Sequence, residues 1–245
     1  MIPRRAFYTW SGPPESMPWL RRLTVETFKK FNPDWEVEHI HSAVGDELIH
    51  AATWSDLRRY VELEARGGLY FDTDIVFLAP IPDTILEHPF AITMDPSVLV
   101  KYPDHEPHPS QPGFSNIGLM AATHGHDFFR DVLRAAQEKA AAGVESYQGL
   151  GVELLNGMFW GEHEPDIRER YGDFYNIPLD AILPIRWWRV YKLFNGTPFE
   201  PPPGCIGVHW YGGSPESRRF CQRVTAENYQ GHPCYLQKAI DRALE

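Results

Sequence analysis

Near its start, the chain switches between the residue spacing of a strand and that of a helix. Residues 6–10 are a short apolar run that ends at the turn cluster Ser11-Gly12-Pro13-Pro14, which predicts a first strand. Residues 17–31 carry apolar side chains three and four positions apart, which predicts a helix that ends at Asn32-Pro33. Residues 35–41 alternate between apolar and polar, which predicts a second strand.

A second helix and a buried strand follow in the same order. Apolar residues recur at helical spacing across residues 55–66, with Ser55 as the predicted N-cap and Gly67-Gly68 as the predicted end. An apolar run begins at residues 69–71 and resumes at residues 75–78, which predicts a buried strand. This order favours an α/β fold in which helices cover a mostly parallel central sheet, with ligands at the carboxyl ends of the strands.

Two carboxylates, Asp72 and Asp74, interrupt that apolar run. Desolvating them would cost roughly several kcal/mol unless a cation or strong donors compensated their charge. In an extended strand, residues two apart point to the same side, so both carboxylates are expected to face one ion. Mg²⁺ and Mn²⁺ take carboxylate and phosphate oxygens together, so a diphosphate is the expected third partner. A solvated turn at the end of a strand is the other reading of a lone D-x-D pattern.

Further elements are predicted downstream. The pattern predicts strands at residues 89–94, 114–122 and 206–210, and helices at residues 126–141, 147–160 and 228–244. Residues 95–113 lack periodicity and are rich in proline and histidine, so we expect a long loop that orders over a substrate.

Composition narrows the class of protein. The 245 residues allow one large domain, and 43% hydrophobic and 23% charged residues are ordinary for a globular protein. The formal charge is −10, whereas a dedicated nucleic-acid-binding protein usually carries a basic surface. Three distant cysteines, no signal-peptide pattern and no apolar run of membrane-spanning length predict a cytoplasmic protein with free thiols and no membrane span.

The region from residue 56 to residue 74 resembles a known family of enzymes. Its helix, Gly-Gly stop, strand and paired carboxylates follow the order and spacing of the DXD-motif sugar-nucleotide glycosyltransferases, which include capsular and mannosyl transferases and, more distantly, the clostridial glucosylating toxins. The matching positions are Asp56, Arg59, Gly67, Gly68, Tyr70, Asp72 and Asp74. The resemblance implies one GT-A domain over residues 1–245, with a Rossmann-like sheet, a nucleotide-binding half at 1–94 and an acceptor half at 95–245.

The resemblance also implies which residues hold a metal ion and the donor nucleotide. Asp72 and Asp74 would hold Mn²⁺ or Mg²⁺, together with His209 from the segment H-W-Y-G-G-S. Pro215 follows that segment where the family usually has a tryptophan. The implied nucleotide-binding residues are Trp10, which would stack on the base, and Tyr70, Asp72 and Ser214.

On the sugar side, the resemblance implies that Asp56 accepts hydrogen bonds from sugar hydroxyls and that Arg59 braces the diphosphate and the sugar. Asn116 stands in a segment where family members carry an asparagine beside the sugar. Without the resemblance, Asp56 and Arg59 would be interpreted as an ion pair on a helix surface, worth roughly a few tenths of a kcal/mol.

The implied reaction is transfer of a hexose or N-acetylhexosamine from a nucleoside diphosphate sugar, with UDP as the expected carrier, to a glycan or other hydroxyl acceptor. The resemblance implies that the anomeric configuration is retained. No residue of the sequence stands out as a covalent nucleophile, so we expect a front-face mechanism in which the departing phosphate helps to deprotonate the acceptor. The negative charge disfavours nucleic acid as the acceptor but leaves it open.

Two other functions fit the same residues. The run L-Y-F-D-T-D-I-V also fits the signature of haloacid-dehalogenase-like, Mg²⁺-dependent phosphatases, in which the first aspartate is the nucleophile and the second the general acid. That signature normally lies on the first strand. The other alternative is a non-catalytic module that binds a sugar nucleotide or glycan, although intact carboxylates, Arg59 and His209 speak against it.

Overall fold

The computed structural model describes residues 1–41, 51–95, 114–144, 146–159 and 167–245. The loop predicted at 95–113 therefore lies outside the described residues, apart from its first position. The chain folds into two compact units that alternate along the sequence. Unit 1 contains Met1–Gly12, Glu36–Phe71 and Pro82–Ile177, and unit 2 contains Pro13–Trp35, Asp72–Ile81 and Pro178–Glu245. The predicted single domain with halves at 1–94 and 95–245 stays a prediction.

Eight strands and eight α-helices lie in the described residues. The strands are β1 (Arg5–Trp10), β2 (Glu36–His41), β3 (Gly68–Phe71), β4 (Ile75–Phe77), β5 (Phe90–Asp95), β6 (Phe114–Ala122), β7 (Tyr175–Asn176) and β8 (Gly207–His209). The helices are α1 (Trp19–Phe31), α2 (Ala51–Arg66), α3 (Asp83–Leu86), α4 (Asp127–Ala142), α5 (Val152–Phe159), α6 (Ile167–Tyr171), α7 (Pro215–Cys221) and α8 (Tyr235–Leu244). Short 3₁₀ turns lie at Pro14–Ser16, Leu179–Ala181, Trp187–Leu193 and Tyr229–Gly231.

Unit 1 is built on a six-stranded sheet with the order β2-β1-β3-β6-β5-β7. β1 is parallel to β2 and β3, and β7 is parallel to β5, whereas β6 is antiparallel to both of its neighbours. Three of these five pairings are parallel, so the predicted α/β class with a mostly parallel sheet is confirmed. Because β1 and β3 are parallel, Trp10 and Phe71 both lie toward the carboxyl edge of this sheet.

The predicted glycine stop after α2 is confirmed. Gly67 and Gly68 have φ angles of 67° and 106°, which residues other than glycine rarely adopt. A Cβ at Gly68 would also lie 2.5 Å from the carbonyl oxygen of Arg5. Since β1 and β3 are hydrogen-bonded neighbours, the missing side chain lets the two strands approach.

Unit 2 is smaller and has a different core. β4 pairs with β8 in a separate two-stranded sheet, and α1 and α8 pack on β4. The prediction that one strand begins at residues 69–71 and resumes at residues 75–78 is therefore wrong. β3 ends in one unit and β4 begins in the other, because the two apolar runs are buried in different hydrophobic cores.

Three helix starts differ from the prediction by more than two residues. The helix predicted at 147–160 begins at Val152. α2 begins at Ala51, so Ser55 lies inside the helix and is not its N-cap. The terminal helix begins at Tyr235, because a 3₁₀ turn and Pro233 precede it and Cys234 is its N-cap. Helical spacing locates the helix, but capping decides where it starts.

Candidate functional site

The two aspartates of the D-x-D motif lie in a turn, within unit 2. Asp72, Thr73 and Asp74 connect the end of β3 to the start of β4. The sequence predicted that an extended strand would orient the two carboxylates to one side, but in the structure a turn does so. The backbone N–H of Trp210 donates to the carbonyl oxygen of Asp74 over 2.8 Å. This bond ties the turn to the end of β8 and hence to His209.

Asp72, Asp74 and His209 come together as the sequence predicted. One ligand atom from each of them lies within 4.8 Å of the other two. The Nε2 atom of His209 is 3.0 Å from an Asp74 carboxylate oxygen and 4.0 Å from one of Asp72. Ile75 pairs with His209 across the β4–β8 ribbon, which explains why residues 135 positions apart meet.

These groups differ in exposure to solvent. The side chains of Asp74 and His209 are 12% and 10% exposed, whereas that of Asp72 is 24% exposed. Asp74 and His209 therefore form the buried side of the cluster. Asp72 forms its accessible side, where an ion or ligand can enter.

The surroundings keep Asp74 charged despite burial. Burial by itself would raise the pKa of Asp74, but His209, Arg21 and the backbone N–H of Gly212, which donates to Asp74 over 2.6 Å, together hold that pKa well below its usual value. Burial would lower the pKa of His209, but the neighbouring Asp74 and Asp72 carboxylates raise it above its usual value. The cluster is thus an acidic pocket with one imidazole, a donor set that suits a divalent cation.

The segment after β8 shapes this cluster. Tyr211 has a φ angle of 52°, which is uncommon for a residue with a side chain. Its ring packs against His209 with centroids 4.6 Å apart, and its hydroxyl donates to the carbonyl oxygen of Ile185 over 2.6 Å. The turn at Tyr211 brings the N–H of Gly212 back to Asp74. The sequence did not single out Tyr211, and its unusual backbone angle appears only in the fold.

Ser214 has a local structural partner. Its hydroxyl oxygen accepts from the backbone N–H of Ser217 over 3.1 Å and caps α7. Pro215 is the first residue of that helix, where proline is well tolerated because no backbone N–H is needed there. The proline at the family's usual tryptophan position is therefore compatible with a regular helix start.

The second predicted cluster lies in unit 1. Arg59 and Asp56 form an ion pair of 2.8 Å on α2, with side chains only 5% and 6% exposed. The interpretation as a solvated surface pair is wrong, because both groups are buried. The guanidinium lies over the ring of Tyr70 at 4.3 Å from its centroid, and the Tyr70 ring is itself buried in the core of unit 1.

Further bonds fix Arg59 in place. It donates to the carbonyl oxygen of Ile117 over 2.9 Å and to the hydroxyl of Ser55 over 3.2 Å. That hydroxyl is also 2.5 Å from the hydroxyl of Thr9 on β1. Ser55, predicted as a helix cap, instead belongs to this network. The signal available in the sequence was the spacing of four residues between Ser55 and Arg59, which places both side chains on the same face of a helix.

Asn116 and Trp10 also lie in unit 1. The Asn116 side chain is buried on β6 and its carbonyl oxygen accepts from the N–H of Gly118 over 3.0 Å. Trp10 ends β1, half-buried, and its backbone carbonyl oxygen lies 3.1 Å from Nε2 of His39. This contact gives His39 a partner on the neighbouring strand.

Three His, Cys, Asp or Glu side chains that lie close together can hold one metal ion. Among the residues that the structure describes, Asp72, Asp74 and His209 are the only such group.

Sequence and structure comparisons show which known proteins the chain is similar to. Residues 15–91 match the family model for a glycosyltransferase sugar-binding region containing a DXD motif, a range that includes Asp56, Arg59, Asp72 and Asp74. The predicted resemblance to the DXD-motif glycosyltransferases is thereby confirmed. A comparison with curated protein sequences gives no significant match.

Several solved structures resemble the chain. A glycosyltransferase involved in the glycosylation of the major capsid of PBCV-1 is 14% identical, with a TM-score of 0.50 over 91% of this chain and 100% of that chain. At this identity the likeness shows the fold alone, and it supports the predicted GT-A class. The PaToxG glycosyltransferase is 14% identical, with a TM-score of 0.47 over 99% of this chain and 87% of that chain. Within the described ranges, every helix is too short or too polar to cross a lipid bilayer.

Proposed function

We propose that this chain, a DXD-motif glycosyltransferase of the GT-A fold, moves a hexose or N-acetylhexosamine from a nucleoside diphosphate sugar to a hydroxyl group. UDP is the proposed carrier, and a glycan or small hydroxyl compound is the proposed acceptor. The observation that carries the proposal is the cluster of Asp72, Asp74 and His209, whose ligand atoms lie within 4.8 Å of one another. The cytoplasmic location stays a prediction.

We propose Mn²⁺ as the ion, with Mg²⁺ as the alternative. Mg²⁺ prefers an all-oxygen octahedral shell, whereas the cluster offers one imidazole nitrogen beside two carboxylates. Asp74 and His209 would hold the ion from the buried side and Asp72 from the accessible side. When bound, the ion supplies charge neutralisation for the nucleoside diphosphate that leaves.

The remaining predicted residues keep their proposed roles. Trp10 stacks on the base and Ser214 lines the nucleotide site. Asp56 accepts hydrogen bonds from sugar hydroxyls, and Asn116 lies beside the sugar. Arg59 braces the diphosphate and the sugar, and Tyr70 belongs to the nucleotide site. In this structure Arg59 pairs with Asp56 and lies over the Tyr70 ring, and all three side chains are buried.

We propose that transfer retains the anomeric configuration. The support is the family resemblance, together with the lack of an obvious covalent nucleophile in the sequence. In a front-face mechanism the acceptor hydroxyl loses its proton to the departing diphosphate as the new bond forms on the same face. Stereochemical analysis of the product by NMR tests this step, and an inverted anomer contradicts it.

The phosphatase and the binding-module alternatives are not favoured. The phosphatase motif normally lies on the first strand, whereas Asp72 follows β3 and its cluster includes a histidine from β8. The binding-module alternative is not favoured because residues 15–91 match the model of a glycosyltransferase family. Nucleic acid remains a less favoured acceptor because the formal charge is −10.

Nucleotide binding is expected to require a divalent ion. Calorimetry of the purified protein with UDP, GDP and their sugars should show binding of one nucleotide with Mn²⁺ and a large loss of affinity in EDTA, because the ion neutralises the diphosphate. Binding that is unchanged in EDTA contradicts a metal-dependent site. Failure of every nucleotide to bind with Mn²⁺ contradicts the proposed function itself.

Mn²⁺ affinity is expected to rise with pH. His209 must be neutral to bind a metal. Burial lowers its pKa, but Asp74 and Asp72 raise it above its usual value, so protons compete with the ion at every pH below that raised pKa. Below that pKa the affinity should change by up to about tenfold per pH unit, measured by electron paramagnetic resonance titration of free Mn²⁺. His209→Gln is the control: its Mn²⁺ affinity should be lower and should change less with pH. An affinity that does not change with pH in the natural protein contradicts a histidine ligand.

A further inference from the structure

One face of α1 holds the D-x-D turn, within unit 2. The hydroxyl of Thr24 donates to the carbonyl oxygen of Thr73 over 2.9 Å, and the backbone N–H of Phe77 donates to the hydroxyl of Thr27 over 3.1 Å. Both threonine side chains are fully buried. Spaced three residues apart on the helix, they form a ladder along the motif and β4.

Arg21 is the next residue of this ladder, three positions before Thr24. Its Nη1 atom donates to the hydroxyl of Thr73 over 2.7 Å, between the two aspartates of the motif. Its guanidinium lies over the Trp210 ring, 5.3 Å from the centroid. Its guanidinium and the Asp74 carboxylate both border Gly212, and its positive charge helps to lower the pKa of Asp74.

The backbone beside Arg21 leaves space for this guanidinium. A Cβ at Gly212 would lie 2.5 Å from Nη2 of Arg21 and 3.1 Å from an Asp74 carboxylate oxygen. The guanidinium, the Asp74 carboxylate and the Gly212 backbone therefore share one small space. A half-buried arginine that contacts a hydroxyl and an indole face is positioned before any ligand binds.

The net charge of the site with a bound diphosphate would be negative without a further cation such as the Arg21 guanidinium. Two aspartates and one divalent ion sum to zero, whereas the diphosphate of a nucleotide sugar carries about two negative charges. A guanidinium matches phosphate oxygens with its planar fork of donors. Building on the proposed function, we propose that Arg21 binds the donor diphosphate beside the metal ion and stabilises it as it leaves.

This role predicts opposite effects on the metal and on the nucleotide. Arg21→Gln removes a positive charge beside a cation site, so Mn²⁺ affinity without nucleotide should stay equal or rise. The affinity for UDP, or for whichever nucleoside diphosphate binds, at saturating Mn²⁺ should fall by roughly ten- to a hundredfold, the range for a hydrogen bond to a charged group. Affinity for the free nucleoside should not change, because it has no phosphate.

Calorimetry and Mn²⁺ titration on the full chain test the proposal. Lys29→Gln, at an exposed position of the same helix, makes the same change in charge and should behave as the natural protein. Thr73→Val removes the acceptor of Arg21 but keeps its charge, and should lower nucleotide affinity less than Arg21→Gln does. A parallel fall of Mn²⁺ and nucleotide affinity in Arg21→Gln, or an unchanged nucleotide affinity, overturns the proposal. If the natural protein binds no nucleoside diphosphate, the proposed function fails instead.

Discussion

Replacing Asp74 with asparagine is expected to lower transferase activity by about a thousandfold or more. The amide keeps the shape of the carboxylate but removes the charge that faces His209 at 3.0 Å and that a divalent ion would bind. Nucleotide binding that depends on Mn²⁺ should be lost together with turnover. The measurement is sugar transfer or donor hydrolysis at saturating Mn²⁺, with calorimetry of the same variant.

Asp83→Asn is the matched control for that variant. Asp83 is exposed and pairs with Arg4 at 2.7 Å, an arrangement that contributes little to stability. It should leave activity within about twofold of the natural protein. If Asp74→Asn keeps more than about a tenth of the activity, Asp74 is not a ligand on which the reaction depends.

Replacing Arg59 with methionine is expected to lower the free energy of unfolding by about 3–5 kcal/mol. The substitution leaves the Asp56 carboxylate buried without its cation, which lies 2.8 Å away in this structure. It also removes the donor to the Ile117 carbonyl oxygen and the contact with the Tyr70 ring. Urea denaturation followed by circular dichroism measures the change.

Two further variants separate the buried charge from the packing of the side chain. Arg58→Met, at the neighbouring position, removes a side chain that is 42% exposed and pairs with Glu62 at 3.3 Å, and should cost less than about 1 kcal/mol. Asp56→Asn combined with Arg59→Met removes both charges and should recover part of the stability that Arg59→Met alone loses. If Arg59→Met alone unfolds at the same urea concentration as the natural protein, the ion pair of Asp56 and Arg59 is not important for stability.

Much of the fold follows from residue patterning. The strand at Phe114–Ala122 has the predicted bounds, and the helix predicted at 126–141 differs by one residue at each end. These elements have strong apolar periodicity and are covered on one face by the core of unit 1. The start of α2 was placed too late, because a serine beside an aspartate fits both a helix cap and a helix interior.

The candidate site was predicted only in part. Asp72, Asp74 and His209 were named from the motif and do meet, but the expected extended strand is a turn, and the contact with His209 depends on the β4–β8 pairing. Arg21, Tyr211 and Gly212 were not predicted. They lie on a helix and a loop far from the motif in sequence, and no local pattern distinguishes Arg21 from the neighbouring Arg22.

The sequence by itself determined the α/β class, the glycine stop at Gly67-Gly68 and the identity of the paired carboxylates, because periodicity, positive φ angles and charge in an apolar run are local properties. Only the tertiary structure decided that the two apolar runs flanking the motif enter different cores and that Asp56 and Arg59 are buried. It also placed the Arg21 guanidinium and the Asp74 carboxylate beside the same glycine, Gly212. Those outcomes depend on which distant segments pack together, and burial by distant segments sets the solvation energy of a charge.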